Sequence, residues 1–203
     1  MEYENSDDSY HGYIRLATQD DVPALQDIYA YYVDNTVVSF EYEAPNEEEF
    51  RRRFLYFSSL CPYLVYCENG KIMGYAYAHP AFERAAYAWC AESTVYVARE
   101  SKGRGIGRAL YRALTKMLAF QGYRIVYAVI VAENEESCAF HRKNGFQLRA
   151  MFKNAGFKFN RWLDVAWYEL ILGDFSTEIQ RPIPFTDVPL ETSKRICDEA
   201  SRL

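Results

Sequence analysis

A glycine-rich segment in the middle of the chain limits its possible folds more than any other feature. Residues 100–110, ESKGRGIGRAL, place Gly103, Gly105 and Gly107 at alternate positions, directly after the strand-like run WCAESTVYVA. Apolar residues then recur at helical spacing. Glycine at this density costs backbone entropy, so it is usually kept where the main chain must approach another group closely. A strand, a glycine loop and a helix in this order place free N–H groups at a helix N-terminus, which favours an anion site.

Helix and strand patterns alternate on both sides of this loop. The Asn69-Gly70 dipeptide predicts a tight hairpin turn, and the apolar run 125–131 is typical of a strand buried on both faces. We therefore predict an α/β (α+β) domain over residues 14–172, an N-terminal extension over 1–13, and a C-terminal tail over 173–203 that packs on the domain or trails from it. The other predicted elements are strands over 14–16, 146–152 and 165–172, and helices over 20–33, 46–57, 108–121 and 137–144.

Composition narrows the class of ligand. The chain has 203 residues and a net charge of -5, which argues against a nucleic-acid binder. An anion site must then be a local basic patch, for which Lys102, Arg104, Arg108 and Arg112 are available. The acidic N-terminus is neither a signal nor a transit peptide, and no apolar run approaches the length of a membrane span. Five cysteines without C-x-x-C spacing predict reduced, mostly buried thiols in a cytoplasmic protein, and no cluster has metal-ligand spacing.

Two common phosphate loops fit the glycine segment poorly. A Walker loop needs a lysine and a hydroxyl residue after its last glycine, and no lysine follows Gly107. A dinucleotide fingerprint counted from Gly103 meets Arg108 where its third glycine belongs. Taken alone, the segment therefore leaves two interpretations open: a phosphate-binding loop, and a glycine-rich turn that carries solvated basic residues.

In its context the segment resembles the pyrophosphate loop of the GNAT acyltransferases. Lys102, Gly105 and Gly107 match the family pattern [Q/R]-x-x-G-x-[G/A], except that lysine stands at the first position. AESTVYV, Asn134 in VAENEES, HRKNGF and KFNRWLDV match, in order and spacing, the phosphinothricin and methionine sulfone acetyltransferase group. The resemblance covers almost the whole chain. It implies the GNAT fold, a central mixed and largely antiparallel sheet flanked by helices, and acetyl-coenzyme A (acetyl-CoA) as the cofactor.

The resemblance also assigns the cofactor contacts. The strand before the loop splays from its neighbour, and the pantetheine arm pairs with the exposed backbone there. A backbone N–H near Tyr96 or Val97 is the expected donor to the thioester oxygen. Asn134 either binds the cofactor near its thiol arm or caps the following helix, and both roles can hold together. The implied cofactor contacts are Val95, Tyr96, Val97, Lys102, Gly103, Arg104, Gly105, Ile106, Gly107, Arg108 and Asn134.

Two residues are candidates for proton transfer. Transfer of an acetyl group to an amine needs a neutral nucleophile, so a base is required. Glu92, in a strand with small or apolar neighbours, is the predicted base; the alternative is a carboxylate in a structural salt bridge. His141 corresponds to a position that the resemblance associates with the general acid, while a lone helical histidine is otherwise more often structural.

The acceptor site is implied by resemblance alone. Arg84, Tyr87 and Glu92 are expected to face the acceptor. Arg84 either binds its carboxylate or is a solvated arginine of the loop. Family members form dimers, so Lys158 and Arg161 are predicted contacts to a second subunit. We predict acetyl transfer from acetyl-CoA to the α-amine of an amino-acid-like acceptor by direct attack, in a homodimer that binds neither nucleic acid nor membrane. The alternatives are acetylation of a protein N-terminus, a lysine or a polyamine, and a non-catalytic module that senses coenzyme A (CoA).

Overall fold

A seven-stranded mixed sheet forms the centre of the computed structural model, which describes residues 12–175 and 180–202. The strand order is β1-β2-β3-β4-β5-β7-β6; only β4 and β5 run parallel, and all other neighbours are antiparallel. The predicted fold class is therefore confirmed. The strands are β1 (Tyr13–Leu16), β2 (Tyr63–Glu68), β3 (Lys71–Pro80), β4 (Cys90–Val97), β5 (Ile125–Val131), β6 (Gln147–Lys158) and β7 (Arg161–Ile171).

Helices cover both faces of the sheet. On one face, which we call the rear face, α3 packs against strand residues such as Ala76 and Ala91. On the opposite, front face, α1 and α2 pack against Tyr63 and Tyr75. The helices are α1 (Val22–Asn35), α2 (Glu47–Leu60), α3 (Ile106–Gln121), α4 (Glu135–Lys143) and α5 (Leu190–Ser201).

The predicted Asn69-Gly70 turn is confirmed, and Gly122 and Asn46 cap two of the helices. Asn69 and Gly70 both have positive φ, 51° and 73°, and they join β2 to β3. Gly122 ends α3 in the left-handed region, with φ 103°. Asn46 caps α2 by accepting a hydrogen bond from the amide of Glu49. The predicted N-terminal extension lies, up to residue 11, outside the described residues, as does His11.

The structure corrects the sequence prediction at the C-terminal end of the chain. The last two strands are longer than predicted and meet in a hairpin, β6–β7, whose turn contains Phe159 and Asn160 with positive φ. Part of the predicted tail forms α5, which packs on α3 and β1. Ile196 and Ala200 of α5 are buried in the rear core, and the hydroxyl oxygen of Ser201 accepts a hydrogen bond from the amide of Ile14 at 2.8 Å. The described part of the tail therefore packs on the domain, which is one of the two predicted arrangements.

Candidate active site

The site begins where two parallel strands separate. Pairing between β4 and β5 ends at Glu92 and Tyr127. Beyond this point a cavity of about 230 Å³ lies between the strands, and we call it the slot. Residues 93–96 and 128–131 line its two walls, and Phe40, Tyr111, Asn134, Ser137 and His141 are among its other lining residues. The predicted splay is therefore present.

The slot exposes backbone groups that a sheet would normally pair. The amide of Ala98 donates to Met73 of β3 at 2.8 Å. Because successive amides alternate in direction along a strand, those of Val95 and Val97 point away from β3, towards the slot, while that of Tyr96 points to β3. The carbonyl of Val97 accepts a hydrogen bond from the Tyr32 hydroxyl at 2.6 Å. Of the two predicted donors to a thioester oxygen, Val97 is therefore the one with the suitable orientation.

Two glycines of the loop adopt the left-handed backbone conformation that favours glycine. Gly103 and Gly105 have positive φ, 76° and 82°, and Gly105 directly precedes α3. An added Cβ would meet no atom within 4 Å at either position, so the constraint on them is conformational rather than steric. Since α3 begins at Ile106, the free N–H groups of its first turn lie at this loop, as an anion site requires.

The basic residues of the loop differ in availability. Arg104 donates to the Glu68 carboxylate at 2.6 Å, so its charge is already paired. The ammonium of Lys102 lies 5.2 Å from the centre of the Tyr32 ring, a cation–π distance. The part of the chain that the structure describes provides no carboxylate partner for Arg108.

Glu92 lies on the front face of β4, directly opposite His79 of β3. Burial raises the pKa of the Glu92 carboxyl, and the nearby charge of His79 opposes this shift. Among residues 12–175 and 180–202 no cation forms an ion pair with Glu92. Glu92 therefore has no partner in the described chain for the alternative role, a structural salt bridge. A partly buried carboxylate beside the slot suits a base.

His141 is held by two hydrogen bonds beneath the slot. Its Nδ1 lies 2.8 Å from the carbonyl oxygen of Ser137, which can only accept, so Nδ1 carries the hydrogen. Nε2 therefore accepts from the hydroxyl of Tyr111, also at 2.8 Å. Burial lowers the pKa of His141 to about 4. The imidazole is consequently neutral near pH 7, which disfavours the predicted role of His141 as a general acid.

Sequence reasoning missed two members of this network. The hydroxyls of Tyr111 and Ser93 are 2.7 Å apart, and Ser93 Oγ also lies 3.1 Å from the carbonyl oxygen of Tyr127. The chain Ser93–Tyr111–His141 thus joins β4, α3 and α4 below the slot. Tyr111 was missed because it lies within the apolar stripe of a helix and resembles an ordinary core residue. The available signal was its hydroxyl, because a buried tyrosine hydroxyl usually has a hydrogen-bond partner.

Asn134 has the capping role and also lines the slot. Its side-chain oxygen accepts a hydrogen bond from the amide of Ser137 at 3.1 Å, at the start of α4. This confirms the helix-cap interpretation. The side-chain NH₂ of Asn134 is not used by the cap.

The predicted acceptor residues follow β3. Arg84 and Tyr87 are both exposed. Arg84 directly precedes a short 3₁₀ turn (Ala85–Tyr87), and Tyr87 is the last residue of that turn. Tyr87 packs against Phe82, with ring centres 4.7 Å apart, and Phe82 in turn packs against Tyr127 and Trp167. On the other side of Glu92, the ring of Phe57 stacks on Tyr77 and His79, with centres 5.7 and 5.1 Å away. Glu92 therefore lies between two aromatic clusters.

The structure contradicts the prediction that Lys158 contacts a second subunit. Its side chain is only 1% exposed, and its ammonium donates to the carbonyl oxygens of Val33 and Ser39 at 2.6 and 2.8 Å. It therefore fastens the β6–β7 hairpin to the loop between α1 and α2. Arg161 is exposed at the start of β7 and forms an ion pair with Glu133 of the same chain.

The hairpin and the α1–α2 loop together wall one side of the slot. The hydroxyl of Tyr42 donates to the carbonyl oxygen of Phe157 at 2.7 Å. Phe40, which lines the slot, packs so closely on Gly156 that an added Cβ there would lie 2.1 Å from its ring. Gly156 is therefore required for this contact.

Comparison with known proteins agrees with this geometry. The family described as acetyltransferase (GNAT) domain matches residues 14–167. A phosphinothricin N-acetyltransferase of Streptomyces coelicolor is 38% identical over 160 residues, which are 77% of this chain and 94% of the relative. An L-methionine sulfoximine/L-methionine sulfone acetyltransferase of Pseudomonas aeruginosa is 30% identical over 78% of this chain and 94% of its own length.

A solved structure matches the fold as well. A GNAT superfamily phosphinothricin acetyltransferase from Sinorhizobium meliloti, in complex with acetyl-CoA, superposes with a TM-score of 0.80. It is 34% identical and covers 85% of this chain and 94% of its own length.

A splayed parallel strand pair followed by a glycine loop and a helix defines an acyltransferase site for a CoA thioester. The chain belongs to the GNAT acetyltransferase family. It is an enzyme of that family and uses acetyl-CoA. No helix within the described residues has both the length and the apolar character to cross a membrane.

Proposed function

We propose that this enzyme acetylates the α-amine of a small amino-acid-like acceptor of the phosphinothricin, methionine sulfone or methionine sulfoximine type. The observation that carries the proposal is Glu92, a partly buried carboxylate without an ion-pair partner in the described chain, at the mouth of the slot. The names of the relatives support the acceptor class, because they act on amino-acid analogues that carry both an amine and a carboxylate.

The residues of the slot fit the cofactor. Bound acetyl-CoA supplies the acetyl thioester that the amine attacks. The outward amides of Val95 and Val97 would donate to the pantetheine arm and its thioester carbonyl, and the N–H groups at the start of α3 would hold the pyrophosphate. Side chains or backbone of Tyr96, Lys102, Arg108 and Asn134 complete the cofactor contacts, together with residues 103–107.

Glu92 removes a proton from the acceptor ammonium, because only the neutral amine has a free electron pair. Its raised pKa brings the carboxylate closer to the amine in basicity, which favours this transfer. His141 acts as a positioning residue: it holds the Tyr111 hydroxyl at the floor of the slot. This role replaces that of a cationic acid, because the pKa of His141 is about 4.

Arg84 is the proposed carboxylate contact of the acceptor. It is exposed, it precedes the 3₁₀ turn that carries Tyr87, and no carboxylate of the described chain binds it. A guanidinium can bind a carboxylate through two parallel hydrogen bonds. The aromatic clusters on either side of Glu92 would enclose the rest of a small acceptor.

The acceptor is tested by following thiol release from acetyl-CoA with a panel of amines. We expect turnover with methionine sulfone or phosphinothricin and little with their decarboxylated analogues. Arg84→Ala should raise the KM for the amino acids and abolish their advantage over the analogues, while Arg195→Ala, which removes the same charge on α5, should not. Preference for a polyamine or a peptide would establish one of the alternative acceptors. Binding of CoA without turnover of any amine would indicate a sensor module.

The proposed homodimer uses the β6–β7 hairpin. Large apolar side chains are concentrated there, and Trp162 remains 63% exposed. Exposed apolar patches of this kind mark interaction surfaces. The other exposed members are Leu148, Met151, Phe152, Phe157, Phe159 and Ile171. Wild type should elute as a dimer in size-exclusion chromatography with light scattering, and Trp162→Ser should shift it towards monomer; a monomeric wild type would contradict the assembly. In such a dimer Arg161 lies at the interface.

We also propose a cytoplasmic location, which rests on cysteine usage. All five cysteines are buried and unpaired, as expected for a reducing compartment. Fractionation of the producing cell tests this location, and recovery of the enzyme outside the cytoplasm would contradict it.

A further inference from the structure

A second cavity lies on the front face of the sheet, between α2 and the strands β2 and β3. It has a volume of about 430 Å³. An engineered cavity of about 150 Å³ is large enough to hold benzene, so this one has room for a larger aromatic molecule. Among the described residues, this cavity and the slot have no lining residue in common. It is therefore separate from the proposed cofactor site, and what it binds does not depend on the proposed function.

Aromatic side chains form most of the cavity wall. Tyr63, Tyr75 and Tyr77 stand on the same face of the sheet with nearly parallel rings. The Tyr63 ring centre lies 4.6 Å from that of Tyr77 and 5.9 Å from that of Tyr75, with interplanar angles of 4° and 14°. Flat surfaces of this kind complement a flat, aromatic ligand. The eight aromatic lining residues are Tyr29, Phe50, Phe54, Tyr56, Phe57, Tyr63, Tyr75 and Tyr77.

Two buried tyrosine hydroxyls of this cavity have no partner in the described chain. Tyr63 is 4% exposed and Tyr75 is 1% exposed, and neither hydroxyl forms a hydrogen bond with residues 12–175 or 180–202. The hydroxyl of Tyr29, by contrast, meets that of Ser39 at 2.8 Å. Neither unpartnered hydroxyl is completely enclosed, so each has its accessible side at the cavity that both residues line.

These two hydroxyls are ready to bond a ligand. Burial raises the pKa of the Tyr63 and Tyr75 hydroxyls well above the usual value, so both keep their protons and can donate. A buried hydroxyl without a hydrogen bond is unfavourable. A polar group of a ligand that bonds these hydroxyls removes this penalty.

The charges at the edge of the cavity compensate one another. Arg53 donates to the carboxylates of Glu41 and Glu49 at 2.5 and 2.7 Å, and Arg52 lies 2.7 Å from Glu49. Two guanidiniums and two carboxylates therefore sum to zero charge, and each already has a partner. A charged ligand would have to lose its hydration without gaining a free counter-ion here. The lining therefore favours an uncharged ligand.

We infer that this cavity binds an uncharged aromatic molecule that carries a hydrogen-bonding group such as an amide. The ring of the ligand packs among the aromatic side chains, and its polar group bonds the hydroxyls of Tyr63 and Tyr75. Phe57, one of the lining residues, also stacks on His79, which lies opposite Glu92. The ligand therefore lies close to the candidate base without entering the slot.

The chemical class is tested by ligand-observed NMR titration of wild type with benzamide, which should bind with a Kd of about 1 mM or tighter. Cyclohexanecarboxamide carries the same amide on a ring that is not flat, and it should bind about fivefold more weakly. Benzoate and benzylamine replace the amide with groups of opposite charge, and both should bind at least about fivefold more weakly than benzamide.

The position is tested with variants that remove one hydroxyl and keep the ring. Tyr75→Phe and Tyr63→Phe should each weaken benzamide binding about fivefold, as expected for one lost hydrogen bond. Because neither hydroxyl has a partner in the described chain, circular dichroism and thermal unfolding of both variants should match wild type. Tyr123→Phe is the matched control, since it removes a buried hydroxyl that meets Cys61 in the rear core. It should leave benzamide binding unchanged.

Several results would overturn the site. If wild type does not bind benzamide, the cavity is not a site for this class of ligand. Wild-type affinity in both Tyr75→Phe and Tyr63→Phe would place bound benzamide elsewhere, since neither residue lines the slot. Equal affinity for cyclohexanecarboxamide would show that the rings are not recognised. Tighter binding of benzoate or benzylamine would show that an ion pair at the edge opens to take a charge, which contradicts an uncharged ligand.

Discussion

Tyr111 and His141 form a buried hydrogen bond, hydroxyl to Nε2, across 2.8 Å. It joins the helix that follows the glycine loop to the helix that Asn134 caps. Both rings also pack edge to face, with centres 5.2 Å apart. The pair therefore connects the pyrophosphate end of the proposed cofactor site with its thiol end.

Removal of the Tyr111 hydroxyl should affect both stability and activity. Tyr111→Phe leaves Nε2 of His141 without a donor, which costs about 1–3 kcal/mol of unfolding free energy. We also expect kcat to fall several-fold, because the floor of the slot loses its fixed hydroxyl. Tyr123→Phe is the matched control: Tyr123 is equally buried and its hydroxyl meets Cys61 at 3.2 Å, away from the slot. It should lose stability and keep wild-type kcat. An equal fall of kcat in both variants would contradict a specific role of Tyr111.

Burial of neutral His141 should make the fold sensitive to moderate acid. Its pKa is about 4 in the folded protein and about 6.5 when unfolded. Between these values the unfolded chain binds a proton that the folded chain does not, so the free energy of unfolding falls as pH falls. The contribution of His141 is fully present near pH 7, and about 2 kcal/mol of it is lost by pH 5. Urea unfolding at both pH values should show a smaller difference in His141→Gln than in wild type; equal differences would show that His141 is not the titrating group.

Glu92 should determine the acidic limb of the pH–rate profile. The carboxylate is the active form and its pKa is raised by burial, so activity should be lost at a higher pH than an exposed glutamate would give. Glu92→Gln should lower kcat by at least about tenfold, remove this limb and leave acetyl-CoA affinity unchanged. A folded Glu92→Gln enzyme with wild-type kcat would show that Glu92 is structural.

His79 provides an independent check on this assignment. Its charge lowers the pKa of Glu92, so His79→Gln should move the acidic limb to higher pH while Glu92 still acts as the base. Tyr77, Thr94 and Tyr127 are the other neighbours of Glu92 on the front face, and they remain unchanged in this variant. A limb that moves to lower pH would contradict the assignment.

The C-terminal helix should contribute to stability without contributing to catalysis. Ile196 is 4% exposed in the rear core, so Ile196→Ala should lower the free energy of unfolding by about 2–4 kcal/mol. Lys194→Ala, on the exposed side of the same helix, should change it by less than about 0.5 kcal/mol. Both should retain wild-type kcat at temperatures where they are folded. Wild-type stability of Ile196→Ala would mean that α5 packs differently.

Local sequence patterns predicted the structure correctly where a pattern is compatible with few conformations. The apolar run 125–131 became β5, and Asn69-Gly70 formed its turn, because each pattern has few alternative structures. Local patterns did not predict the features that depend on tertiary contacts. The extension of β6 to Lys158 carries mostly exposed side chains, and its polar pattern resembles a loop. Nor does a lysine in the sequence indicate that two distant carbonyl groups will bury it.

The predicted site residues show the same division. The position of Glu92 in a strand and the order strand, glycine loop and helix follow from contiguous segments of the chain, and the splay was implied by the family resemblance. The Tyr111–His141 bond and the burial of Lys158 depend on which helices become neighbours, which single-residue patterns do not encode.

The burial of Lys158 also fixes an order of assembly. Its carbonyl partners, Val33 and Ser39, precede it by 125 and 119 residues. At about 5–20 residues per second, synthesis of that interval takes about 6–25 s. Throughout this time the α1–α2 loop of a nascent chain lacks the strand that fastens it. The wall of the slot next to Phe40 is therefore completed only after Lys158 has been synthesised, so a chain emerging from the ribosome acquires this wall only when the β6–β7 hairpin folds back on its N-terminal half.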